Sequence, residues 1–149
     1  QVGLDYKIIN NFALRFAYKY NNAISTFDGV EKQLPLQSKE RGLINLAYNT
    51  ISDKWYFDFT ANYIGQARIP ENIISSKKFS KPFTLFNSQI TRKWKNFDVY
   101  FGGENLSDYT QENPIIDSEN PFGQNFEAAL IWAPIMGRHF YIGVRYNVD

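Results

Sequence analysis

Side-chain character alternates with period two along nearly the whole chain, and the apolar partner is unusually often an aromatic ring. In residues 12–20, FALRFAYKY, Phe12, Leu14, Phe16, Tyr18 and Tyr20 share one parity, while Ala13, Arg15, Ala17 and Lys19 share the other. Successive side chains of an extended strand point to opposite faces, so this segment has one ring-rich face and one charged face. The pattern recurs. Val2, Leu4, Tyr6 and Ile8 alternate with Gly3, Asp5 and Lys7. Gly42, Ile44, Leu46 and Tyr48 alternate with Arg41, Leu43, Asn45 and Ala47. Trp55, Phe57, Phe59, Ala61 and Tyr63 alternate with Tyr56, Asp58, Thr60 and Asn62. Phe97, Val99, Phe101 and Gly103 alternate with Asp98, Tyr100, Gly102 and Glu104. Phe140, Ile142, Val144, Tyr146 and Val148 alternate with Tyr141, Gly143, Arg145 and Asn147. Residues 83–94 are less regular; Phe86, Ile90 and Trp94 are assigned to the apolar face because Asn87 and Gln89 suit the polar one. No amphipathic helix of useful length is visible.

Composition narrows what this alternation can mean. Rings make up 17% of the 149 residues, yet mean hydropathy is negative, so rings and polar groups must be finely interleaved. No run approaches the roughly 18 apolar residues of a membrane helix. Basic and acidic residues balance at 16 to 15, with no Lys/Arg run, so no nucleic-acid partner is expected. The chain has no cysteine and one histidine, His139, which leaves no disulfide framework, no thiolate site and no multi-histidine metal site. The N-terminus carries no signal-peptide pattern and is already strand-like; a removed targeting segment or a longer parent chain is expected.

The connections alternate in length. Short ones fall near 8–11, 50–53 and 95–96; long ones cover 23–40, 66–81 and the stretch beginning at Leu106. Short turns on one side, long loops on the other and strands of about ten residues are the pattern of a transmembrane β-barrel. In that reading lipid touches the ring-rich face and water touches the face holding Arg15, Asp58, Asp98, Glu104 and Arg145. Tyr48, Trp55, Trp94 and Phe97 sit at one membrane interface, and Tyr20 and Tyr63 near the other. The expected fold is all-β, an antiparallel barrel segment. A soluble β-sandwich also alternates, but it must bury all these rings in one core and leaves the loop-length pattern unexplained. Register is strict: a one-residue slip of 12–20 turns Arg15 toward lipid at about 2–4 kcal/mol near the midplane.

No catalytic constellation is present, neither a nucleophile elbow nor a phosphate loop, and no enzymatic step or cofactor is expected. His139 reads as an ordinary residue at the barrel mouth. Asp58, Asp98 and Glu104 are expected to meet Arg15, Arg41 and Arg145 in a wet interior. The loop IGQARIPENIISSKKFSKP carries Arg68, Lys77, Lys78 and Lys81 and could attract an anionic ligand, against the plain reading of a solvated loop. The last loop, with Tyr109, Asn113, Pro114, Phe122 and Trp132, is the better candidate for ligand contact, since displayed rings gain more from a partner than from water.

From Phe83 onward, FTLFNSQITRKWKNFDVYFGGENLSDYTQENP and PFGQNFEAALIWAPIMGRHFYIGVRY resemble the C-terminal end of TonB-dependent outer-membrane receptors, especially the Bacteroidetes type. Glu104-Asn105-Leu106-Ser107-Asp108-Tyr109 matches the family's Asn-Leu-Phe/Thr-Asp/Asn-x-Tyr element at the outer end of the penultimate strand, and Gly137-Arg138 matches the pair opening the last strand. RGLINLAYN and WYFDFTANYIGQARIP fit the preceding strands. Gly143, Tyr146 and Val148 fit the spacing of the signal read by the barrel-assembly machinery, with Val148-Asp149 in place of the usual terminal ring. Such receptors are plugged barrels of about 22 strands, so the resemblance implies a C-terminal portion lacking the plug and the TonB-contacting box. It implies about seven spanning strands, a periplasmic C-terminus, and residues 124–132 as an extra strand inside the last outer loop, paired with the start of the final strand through APIMG. It also implies outer-membrane lipid, plug, TonB and the assembly machinery as partners, and uptake of a small-molecule nutrient such as a ferric siderophore, haem or cobalamin in a Gram-negative bacterium. The alternative is a free-standing eight-stranded barrel in which 124–132 spans, with a structural, adhesive or enzymatic role; its termini would fall on the long-loop side, against the usual arrangement.

Overall fold

The computed structural model describes residues 1–70, 78–115 and 117–148. Among them there is no helix. Seven strands form one antiparallel sheet in the order β1 (Val2–Ile9), β2 (Phe12–Tyr20), β5 (Glu40–Asn49), β6 (Trp55–Ile64), β7 (Phe83–Trp94), β8 (Phe97–Glu104), β9 (His139–Tyr146). A small separate hairpin, β3 (Ile24–Phe27) and β4 (Val30–Gln33), lies within the first long connection. The seven-stranded sheet is not closed: β1 and β9 are its edges.

Register joins the apolar parities into one continuous face. Leu4 faces Phe16, Phe16 faces Ile44, and Ile44 faces Ala61. Farther across, Phe57 faces Ile90, Ile90 faces Phe101, and Phe101 faces Ile142. Neighbouring rings stack along it, as in Phe59 on Phe86 at 5.9 Å, Trp94 on Phe97 at 5.3 Å and Phe101 on Phe140 at 5.9 Å. Cross-strand ring pairs of this kind are the unit of sheet stabilisation. The rings are not packed into an interior. Phe16 is 37% exposed, Phe57 38% and Ile142 75%, which removes the sandwich alternative.

The other face is polar. Arg15 Nε donates to Asp5 Oδ1 at 2.6 Å, Asn45 Nδ2 donates to Asp58 at 3.0 Å, and His139 lies 3.2 Å from Glu104. Within this chain Asp58, Asp98 and Glu104 make no ion pair with Arg15, Arg41 or Arg145 among the described residues; the expected meetings with side chains of a plug involve residues outside it. Pairing register decides this: Arg15 stands opposite Asp5, Glu104 opposite His139, and Asn45 lies diagonal to Asp58. Asp98 stands opposite Lys93 and Arg145 without an ion pair among the described residues.

One end of the sheet collects the short turns and the end of β9, tied by backbone bonds from Asn49 N to Asn11 O, Lys93 N to Lys54 O and Asn147 N to Asn96 O. The other end collects the long connections, and most of the buried residues sit there. Ser38, Ala67, Ile69, Ser80, Phe83, Asn105, Gln111 and Ala133 are buried; at the short-turn end Asp98 is. The densest packing is therefore a layer of loops rather than a sheet interior.

Residues 124–132 do not form the expected extra strand: no named strand lies between β8 and β9. Backbone groups at the end of this segment instead bond one side chain. Gln111 Nε2 donates to Leu130 O, and Gln111 Oε1 accepts from Trp132 N and Ala133 N. The added pairing in the long-loop layer is β3–β4, turned at Asp28-Gly29 with both residues at positive φ (49° and 77°).

Candidate functional site

Two of the buried polar residues, Asn105 and Gln111, tie the last long loop together. Asn105 ends β8 in the left-handed region at φ 50°, a conformation Asn tolerates better than most residues. Its Nδ2 donates to Tyr109 O at 2.8 Å and Met136 O at 3.2 Å, and its Oδ1 accepts from Tyr109 N at 3.0 Å. Its backbone N–H donates to Asn87 Oδ1 at 3.0 Å. One amide thus satisfies backbone groups at both ends of the last long loop, as a buried polar group requires. Gln111 does the same for 130–133, and its own N–H donates to Pro134 O at 2.8 Å.

A third tie joins the two motifs that carry the family resemblance. Asp108 Oδ1 accepts from Arg138 N at 2.8 Å, and Asp108 Oδ2 lies 3.4 Å from Arg138 Nη2. A Cβ on Gly137 would collide with that carboxylate, so glycine permits the approach. The Asn-Leu-Ser-Asp-Tyr element and the Gly-Arg pair form a single knot that closes the loop onto the final strand.

The knot presents a ring cluster. Tyr109 stacks on Phe83 at 4.8 Å and 5°, and Trp132 lies against Phe83 at 6.1 Å. Burial raises the Tyr109 phenol above its ordinary value; nearby Lys81 lowers it and Glu112 raises it. Tyr109 therefore stands as a neutral hydroxyl at physiological pH. Lys81 Nζ is 3.3 Å from Glu112, linking the second long loop to the third.

Of the residues proposed to touch a ligand, the structure brings Tyr109 and Trp132 together around Phe83. Asn113 and Phe122 are exposed in the same loop, Phe122 fully so at 99%. Arg68 is engaged elsewhere. Its Nε donates to Gln33 O at 2.6 Å and its guanidinium lies 5.2 Å from the Phe27 ring, so it fastens the β3–β4 hairpin to the second loop. Lys77 lies outside the described residues. The interface candidates Tyr48, Trp55 and Trp94 line the short-turn end of the apolar face, and Tyr20 and Tyr63 its long-loop end.

Sequence reasoning passed over three features. Asp28-Gly29 between ISTF and VEKQ is a standard hairpin signal and would have located β3–β4. Nothing local distinguishes Gln111 as a hub, because its partners are nineteen or more positions away. Arg92 was hidden by the irregular parity of β7; it lies on the apolar face between Trp55 and Trp94.

No known family profile and no curated protein sequence matches the chain. Among solved structures it is similar to a mutant of the ferric enterobactin receptor PfeA from Pseudomonas aeruginosa, crystallised with enterobactin, with a TM-score of 0.64 at 13% identity. The match covers 95% of this chain and 21% of the receptor, so the chain spans about a fifth of that protein's length. At this identity the likeness shows the fold alone: an antiparallel β segment.

Proposed function

We propose that this chain forms part of the wall and outer mouth of a TonB-dependent outer-membrane receptor that imports a scarce, bulky nutrient, with the ferric siderophores as the first class to test. The observation that carries this reading is the structural match to an enterobactin receptor over 95% of the chain, on a sheet whose rings cover one exposed face. The short-turn end and the C-terminus face the periplasm in this reading, and the long-loop layer faces outward. Ligand meets the exposed Phe122 and Asn113, the Lys81 ammonium and the ring cluster of Tyr109 and Trp132. Plug and TonB act through other parts of the protein, and the assembly machinery reads the final strand at Gly143, Tyr146 and Val148. The segment binds and encloses; it performs no chemical step. The charged face meets the plug in a hydrated lumen, where mixed charge is expected.

The test is growth under iron restriction and, for cobalamin, under cobalamin restriction. A strain deleted for the gene should lose growth on one ferric chelate and regain it with the intact gene. Unchanged growth on ferric catecholates, ferric hydroxamates, haem and cobalamin alike would remove the uptake reading and leave a structural barrel.

A further inference from the structure

Among the described strand residues on the apolar face, Arg92 is the cation. It stands opposite Trp55 on β6 and Val99 on β8, close to the short β7–β8 turn. Its guanidinium carbon lies 4.8 Å from the Trp55 ring and 5.2 Å from the Trp94 ring. Both contacts use the rings' π-clouds. They leave the five N–H donors of the guanidinium without an acceptor, because Arg92 has no hydrogen-bonded or ion-paired partner among the described residues.

A cation facing hydrocarbon is costly unless an interface supplies its partner. Tryptophans of a barrel girdle sit at headgroup level, so the two indoles fix Arg92 at that depth. The surroundings are cationic. A cleft of about 560 Å³ at this rim touches Lys54, Arg92 and Lys95 with Asp53, and reaches round to Lys93 and Asp98 of the polar face. A planar fork with free N–H groups suits the two oxygens of a phosphodiester better than an ammonium does.

We propose that Arg92, clamped by Trp55 and Trp94, binds the phosphate of a glycerophospholipid headgroup in the leaflet at the short-turn end. The inference rests on the barrel reading above, which assigns the ring-rich face to lipid.

The test uses the full-length protein in bilayers of phosphatidylethanolamine and phosphatidylglycerol, with arginine isotope-labelled at the guanidinium carbon. Solid-state NMR should show a guanidinium signal dephased by lipid phosphorus in the parent protein and missing in R92Q. Native mass spectrometry should show that R92Q loses a tightly held phospholipid which R92K partly keeps. R92Q should still insert and migrate as a heat-modifiable barrel, so that loss of the signal is not loss of fold. Insertion of the parent protein with no such dephasing would overturn the lipid site and leave the barrel reading standing. Failure of the parent protein to insert would sink both. Equal dephasing of the Arg92 guanidinium carbon by inorganic phosphate in lipid-free detergent would overturn the assignment to a lipid headgroup.

Discussion

Gly143 on β9 and Gly102 on β8 are each covered by a tyrosine from the neighbouring strand. Tyr100 lies over Gly143 and Tyr141 over Gly102, with the two rings 6.2 Å apart and edge to face. Tyr141 continues past Gly102 to donate its hydroxyl to Gln89 on β7 at 3.0 Å, so one side chain spans three strands. A methyl at Gly143 would occupy the space of the Tyr100 ring, and overpacking of this kind costs about 1–3 kcal/mol. Gly143→Ala should therefore lower the heat-modifiable, folded fraction, and adding Tyr100→Ala should recover part of it. If the second change recovers nothing, recognition by the assembly machinery rather than local packing sets the need for glycine. At the same scale, Tyr109 carries a pH signature. Its phenol is raised above the ordinary value of 10.0 by burial, so the stability it lends the ring cluster is complete below that pH and is lost as pH rises through the folded-state value. Ultraviolet titration of the parent protein against Tyr109→Phe should show this phenolate forming later than that of an exposed tyrosine.

At the scale of elements, the strands and the loops are stabilised by different means. The strands depend on which face meets which solvent. Ile142→Arg should cost about 2–4 kcal/mol if the position lies near the bilayer midplane, read as a shift in urea titration of the refolded protein, whereas Arg145→Ala on the opposite face should cost little. The loop layer depends on buried amides. Asn105→Ala strips partners from Tyr109 and Met136, and leaving such groups unsatisfied costs about 1–3 kcal/mol each; limited proteolysis should then cut the last long loop faster while the strands stay protected. The strand layer was legible in the sequence because period-two alternation is a local signal, and all seven strands of the main sheet lie where it puts them. The loop layer was not. The failed strand over 124–132 shows why: NFEAALIW is apolar enough to read as a strand, but its end is held by Gln111, distant in sequence, at Leu130 O and Trp132 N. The ligand candidates divide the same way. Tyr109 and Trp132 meet because the knot folds the chain back on itself, while Arg68, chosen for its charge, is held by a hairpin that the alternation did not reveal.

At the scale of the whole molecule, the sheet has two unpaired edges, β1 and β9. In hydrocarbon every backbone polar group needs an internal partner, so an open sheet cannot stand there alone. Expressed by itself, this chain should fail to give a heat-modifiable monomer in lipid and should aggregate or pair edge to edge; a discrete inserted monomer would show that the segment closes on itself.

On the proposed uptake reading, the placement of Asn105 and Gln111 also limits how the mouth could change its cargo. Each amide holds sequence-distant backbone, so replacing either amide, rather than a ring of the cluster, unfastens the long-loop layer. Selectivity has freer rein at tips such as Phe122 and Asn113, which hold nothing else in place.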